Sequence, residues 1–241
     1  MRFSGTPPAG EAMALAVSDL SVTYGDFVAV ERASFEVAEG ECVAIVGPNG
    51  NGKSSIAMAV AGLADRRGTV RLFGEPVPAG DPVWTVRRGL VLVPERRQLF
   101  PNLSVIDNIA LGCYAWTRSL KAALRSDAVA HALRFFPQLS TRLDQKVGTL
   151  SGGEQQMVAL ARGIASRPRI LIIDEPCLGL AEIVSRRLYE VLAAMNREGR
   201  TIVLIEENPA RALELSHRVI RVQNGIVVDG ARSPHGGGGG R

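Results

Sequence analysis

Eight residues, GPNGNGKS at 47–54, carry the first chemistry the chain offers. They fit the spacing G-x-x-x-x-G-K-[ST]. An apolar run (ECVAIV, 41–46) precedes them and a helical pattern (SSIAMAVAGL, 54–63) follows. Strand, glycine-rich turn and helix N-terminus in that order make an anion cradle. The glycines let backbone N–H groups curl round a phosphate, and the helix end adds partial positive charge. In such a loop Lys53 reaches the outer phosphates of a nucleoside triphosphate and Ser54 offers a hydroxyl to Mg2+. A second signal lies in RILIIDEP (169–176). Asp174 ends an apolar run that reads as a buried strand, a position suited to holding Mg2+. Glu175, next to it, is placed to orient or deprotonate an attacking water.

A third stretch, LSGGEQQM (150–157), poses a question. From Glu154 the chain reads as a good helix, and Ser151 alone would cap it. Two glycines at a helix start cost stability and are not needed for a cap. They suit a helix end whose bare backbone N–H groups are approached by another molecule.

Several elements must position these residues. LAVSDLSVTY (15–24) and FVAVERASFEV (27–37) alternate loosely around a Tyr-Gly-Asp turn and predict an antiparallel pair. GTVRLFG (68–74) predicts another strand. From Ser104 to Leu143 the pattern is helical, opened by an S-x-x-D start at Ser104 and Asp107. EIVSRRLYEVLAAMNREG (182–199) predicts a helix ending at Gly199, TIVLIEE (201–207) a strand, and RVIRVQNGIVVDG (218–230) a hairpin turning at Asn224-Gly225. Strands separated by helices imply a parallel sheet with helices on its faces.

Composition bounds the reading. The 241 residues are 46% hydrophobic and 22% charged with a net charge of +4, which suits one globular domain with a mildly basic, scattered surface. Cys42, Cys113 and Cys177 are far apart and are expected to be reduced and buried. The three histidines are isolated, which argues against a zinc site. No apolar stretch approaches the roughly 20 residues of a membrane span, and the first residues lack the apolar core of a leader. Residues 1–12 and 231–241 are expected to be flexible.

With the phosphate loop, LSGGE and LIIDEP in that order, the chain resembles the ATP-binding cassette (ABC) ATPases over roughly residues 15–230. The resemblance implies a phosphate-loop NTPase (RecA-like) α/β core at 13–98 and 166–230, with an antiparallel β subdomain. A helical signature subdomain is inserted at 99–165. It also implies head-to-tail dimers. ATP and Mg2+ bound by one chain's Gly47, Pro48, Asn49, Gly50, Asn51, Gly52, Lys53, Ser54 and Ser55 would be capped by the partner's Ser151, Gly152, Gly153 and Glu154. Tyr24 matches the aromatic that stacks on adenine. Two ATP molecules then join the chains and hydrolysis releases them, which accounts for the bare glycines.

VLVPERRQLFPNLSVIDNIALG (91–112) is similar to one subgroup, the ATPases of branched-chain amino acid importers. That subgroup has glutamate, as at Glu95, where most cassettes have glutamine. Arg96 departs from the subgroup's glycine, and CLGLAE (177–182) from its Ala-Pro ending. IEEN (205–208) is close to the subgroup's V-E-Q-N. Glu207 stands where many cassettes use a γ-phosphate-contacting histidine. An ionised carboxylate cannot donate a hydrogen bond there. Glu95, Arg96 and Arg97 fall where the family's Q-loop senses phosphate and meets the membrane subunit, with Leu99, Phe100 and Leu103 as candidates for lining the docking groove.

The resemblance implies an ATP-hydrolysing subunit at the cytoplasmic face of the inner membrane. Its partners would be a second cassette, two permease subunits and an extracytoplasmic solute-binding protein, with no nucleic acid. The catalytic candidates are Lys53, Glu95, Glu175 and Glu207, and the metal candidates are Ser54, Glu95 and Asp174. Branched-chain amino acids are the expected cargo. Urea or short amides are the alternative, and a regulatory or soluble non-transport cassette is a more distant one.

Overall fold

The computed structural model describes residues 12–232. Of the termini expected to be flexible, 1–12 and 231–241, residues 1–11 and 233–241 lie outside them. In chain order the strands are β1 (Met13–Tyr24), β2 (Phe27–Ala38), β3 (Cys42–Val46), β4 (Arg67–Leu72), β5 (Glu75–Pro76), β6 (Leu90–Val93), β7 (Ile170–Asp174), β8 (Thr201–Glu206), β9 (Arg218–Gln223) and β10 (Ile226–Arg232). The helices are α1 (Lys53–Val60), α2 (Pro82–Arg87), α3 (Val105–Ala110), α4 (Leu120–Leu124), α5 (Asp127–Phe135), α6 (Gly152–Ala165), α7 (Glu182–Arg197) and α8 (Pro209–Leu213).

Two sheets form. One is antiparallel, in the order β2-β1-β4-β5. The other has the order β10-β9-β3-β8-β7-β6 and is parallel except for the edge strand β10. Both faces of the parallel sheet are covered, which is why β3, β7 and β8 read as unbroken apolar runs. Alternate residues divide between two cores. Ala44, Leu171, Ile173 and Leu204 pack with α3, α5, α6 and α7. Val43, Ile45, Ile172 and Val203 pack with α1 and the antiparallel sheet. The period of two along each strand thus fastens a helical layer and a β layer to one sheet.

The predicted strands and the long helices are present, and α3 is capped by Ser104, whose Oγ accepts from the Asp107 N–H at 3.2 Å. The helical stretch after it is broken rather than continuous. Ser119 and Ser126 start new short helices, and Pro137 opens a 3-10 turn. The strand β6 and the helix α2 are additions to the sequence reading. β10 runs on to Arg232, so Ala231 and Arg232, assigned above to the tail, pair with Val219 and Arg218. All three cysteines are buried, and burial pushes the Cys42 thiol up to about 12 and the Cys177 thiol to about 11.

One buried ion pair ties β9 to β2 and to the turn that leads into β3. Arg218, which opens β9, donates from Nε to Glu41 Oε1 at 3.0 Å and from Nη2 to the Glu36 carbonyl on β2. Glu41 Oε2 also accepts the Ala38 N–H at 3.0 Å. Removing one partner of such a pair leaves an uncompensated charge inside the protein. Glu41→Ala is expected to cost about 3–5 kcal/mol, read as a lowered urea midpoint; an unchanged midpoint would show that solvent replaces the carboxylate freely.

Candidate functional site

The parallel strands β3, β6, β7 and β8 all point their carboxyl ends to one edge of the sheet, where open α/β sheets bind ligands. The phosphate loop follows β3, Glu95 follows β6, Asp174 and Glu175 follow β7, and Glu207 follows β8. Four sequence-distant segments meet because the strand order places β8 between β3 and β7.

Two glycines in the loop are fixed by close approach. A Cβ on Gly47 would lie 2.2 Å from the Val222 carbonyl oxygen, and one on Gly52 would lie 2.2 Å from that of Ala29. Gly52 also has φ +90°, which L side chains rarely adopt. The β9–β10 turn supports the loop from behind. The Gly225 N–H donates to the Asn51 carbonyl at 3.2 Å and the Asn224 N–H to Asn51 Oδ1. The loop's shape therefore depends on a hairpin some 170 residues away along the chain.

Lys53, the first residue of α1, is only 4% exposed. Its Nζ donates to the carbonyls of Gly47 (2.8 Å) and Pro48 (3.1 Å) and to Asn49 Oδ1 (3.3 Å). Glu175 Oε1 lies 3.5 Å away. Glu175 has φ +45°, an uncommon conformation for a residue with a side chain, and its N–H donates to the Ile205 carbonyl at 3.0 Å. The left-handed turn aims the carboxylate back across the end of the sheet to the lysine.

Asp174 is 6% exposed, and its Oδ1 is buried without a hydrogen-bond partner. Burial pushes its pKa up to about 6. The Ser54 hydroxyl opposes the rise, the charges of Glu175 and Glu95 add to it, and Lys53 opposes it. An orphaned carboxylate oxygen beside the Ser54 hydroxyl fits a hard divalent cation such as Mg2+. Glu95 is exposed and enters this cluster through its charge on Asp174.

Glu207 reaches the phosphate loop, where its Oε2 accepts from Asn49 Nδ2 at 3.0 Å. Its neighbour Glu206 was not singled out in the sequence. Glu206 is buried and accepts from the Tyr189 hydroxyl at 2.6 Å, and burial raises its pKa. In a strand buried on both faces, period-two patterning gives no signal for which of two adjacent acids turns inward. Tyr24 ends β1 beside the turn to Phe27, and both rings are largely exposed.

The signature residues stand apart from this cluster. Ser151 caps α6, accepting from the Glu154 N–H, while Glu154 Oε2 accepts the Ser151 N–H at 2.9 Å. The Glu154 carboxylate also pairs with Arg142 at 3.2 Å. Among the described residues no hydrogen bond or ion pair joins Ser151 or Glu154 to the phosphate loop. Phe100 and Leu103 are exposed and Leu99 packs on the helical-side core. None of the three lines the nearby apolar groove of about 620 Å3, which is bounded by Val83, Val86, Leu111, Tyr114, Arg118 and Arg162.

The raised Asp174 pKa means that the folded state binds this proton more tightly than the unfolded state. The associated stability is complete below pH ~4 and is lost as pH rises through about 6. In the nucleotide- and metal-free protein, Asp174→Asn is expected to raise stability by about 3 kcal/mol at pH 8 and by almost nothing near pH 4. Urea titrations across that range check it; equal differences at both ends would show that Asp174 carries no burial penalty.

The sequence pattern of the ABC transporter family matches residues 30–178. The chain is 38% identical to the high-affinity branched-chain amino acid transport ATP-binding protein BraG of Pseudomonas aeruginosa, over 89% of this chain and 91% of that one. It is 35% identical to the fructose import ATP-binding protein FrcA of Rhizobium meliloti, over 81% and 79% of the two chains. Among solved structures, an ATP-binding subunit of an ABC transporter superposes with a TM-score of 0.79 at 29% identity, covering 91% of this chain and 90% of that one. A dimeric cassette bound to ADP and phosphate superposes with a TM-score of 0.81 at 23% identity, covering 90% and 98%. The loop geometry, the buried acid pair and these likenesses agree, and the chain belongs to the ABC transporter family as one of its nucleotide-binding, ATP-hydrolysing cassettes.

Proposed function

We propose that this cassette powers an importer of branched-chain amino acids. The observation that carries the reading is the likeness to BraG along nearly the whole chain, together with the V-P-E-R-R run at 93–97. The FrcA likeness shows the same cassette plan in a fructose importer, so the solute is chosen by the permease and binding-protein partners.

In the proposed cycle the phosphate loop wraps the nucleotide phosphates, and Lys53 moves its hydrogen bonds from the loop oxygens to the outer phosphates. Tyr24 stacks on the adenine. Asp174, Ser54 and Glu95 would hold Mg2+, which supplies charge neutralisation at the β- and γ-phosphates when bound. Glu175 orients a water for attack on the γ-phosphate and takes its proton. A partner cassette's Ser151, Gly152 and Gly153 close over the same nucleotide, head to tail. The groove between α2 and α6 is the docking place for a permease element, with exposed Val83 and Tyr114 as its apolar contacts. Closure of two cassettes draws two such elements together at the inner face of the membrane.

The tagged chain, recovered with its native membrane partners and reconstituted in vesicles with binding protein, is expected to drive ATP-dependent accumulation of labelled leucine, isoleucine and valine. Lys53→Ala should abolish it. Accumulation of urea or a short amide instead, with no uptake of branched-chain amino acids, would replace the proposed cargo.

A further inference from the structure

We propose that Arg97 is a second cation for the γ-phosphate, acting in trans on the nucleotide held by the partner cassette's loop. The inference rests on the head-to-tail dimer proposed above. Arg97 belongs to the segment after β6, yet its guanidinium lies over the signature helix. A Cβ built on Gly152 would stand 3.5 Å from Arg97 Nη2 and 3.8 Å from Nη1. The glycine is bare where the guanidinium covers it.

The guanidinium is held in place from behind. Arg97 Nε donates to Gln156 Oε1 at 2.9 Å, and Gln156 is 2% exposed. The backbone under it is clasped as well. Arg162 on α6 donates to the Arg97 carbonyl at 2.7 Å and to the Gln98 carbonyl at 2.8 Å. Arg97 and Gln98 both have left-handed φ, +48° and +46°, so this turn is imposed by its surroundings. Nη1 and Nη2 have no hydrogen-bond or ion-pair partner among the described residues.

Beside them, the Gly152 and Gly153 N–H groups at the start of α6 have no intrahelical acceptor, while the cap takes the Glu154 N–H. Two guanidinium nitrogens without partners and two backbone donors without intrahelical acceptors thus lie at the same helix end. Each favours an anion, and a planar fork with an anchored Nε is suited to phosphate oxygens. In a head-to-tail dimer the anion brought to that point is the partner's γ-phosphate. Arg162, reaching from the same helix to hold the Arg97 backbone, is a positioning residue for it.

The test uses the full chain with Glu175→Gln, which preserves bound ATP on the reading above. ATP-driven dimerisation is followed by sedimentation, and ATP affinity of the dilute monomer by a fluorescent ATP analogue. Adding Arg97→Ala is expected to raise the ATP concentration needed for dimerisation by about tenfold or more, with monomer affinity changed less than about twofold. Arg97→Lys, which keeps the charge without the fork, should fall between. Unchanged dimerisation in Arg97→Ala overturns the proposal. So does a loss matched by equal loss of monomer affinity, which would place Arg97 on its own chain's nucleotide. No ATP-driven dimer in the Glu175→Gln parent would overturn the dimer reading, and the proposal with it.

Discussion

The site is organised around one buried cation. An ammonium taken out of water costs several kcal/mol unless oxygens replace its hydration. Here two loop carbonyls, the Asn49 amide oxygen and the Glu175 carboxylate do so for Lys53. That arrangement requires β3 and β7 to end at the same level of one sheet, with β8 between them. It also requires a loop shape that only close backbone contacts from β2 and β9 can enforce. The two cores, on either face of the sheet, are what keep those strand ends in register. Asp174 is the complementary half. A buried carboxylate with an unpartnered oxygen is costly by itself and favourable once a cation joins it. A cation would be favoured beside Asp174 and an anion beside Lys53.

The signature helix α6 plays a different part. Its first turn is capped by the Ser151–Glu154 pair, which leaves the Gly152 and Gly153 N–H groups without intrahelical acceptors, and its flank grips the segment after β6 through Gln156 and Arg162. The same helix walls the apolar groove through Ala159, Arg162 and Gly163. One rigid element therefore connects the signature, the Glu95 segment and the groove.

Much of this was legible in the sequence, for local physical reasons. GPNGNGKS, LIIDEP and LSGG carry their chemistry in adjacent residues, and the buried strands advertise themselves as apolar runs. The hairpin turn at Asn224-Gly225 needed only its dipeptide, and both residues have the positive φ that such a turn requires. What escaped depends on contacts between distant segments. Nothing local marks Glu206 as the inward acid, the hairpin as the support of the phosphate loop, or Arg97 as a neighbour of Gly152. The helical middle was legible only as a pattern, because serine caps and Pro137 divide it into short pieces that tertiary packing, not propensity, stabilises. Phe100 and Leu103 look like groove residues by position, but Asn108 turns that stretch outward by holding both the Phe100 N–H and its carbonyl.

The most direct measurement is phosphate release with Mg-ATP by the chain in its membrane assembly, beside the Glu175→Gln variant. Loss of turnover by about 10²-fold or more, with ATP still bound, is expected if Glu175, held against Lys53 at the end of β7, activates the attacking water. Undiminished turnover in Glu175→Gln would contradict that role and leave the buried Lys53–Glu175 pair a structural contact only.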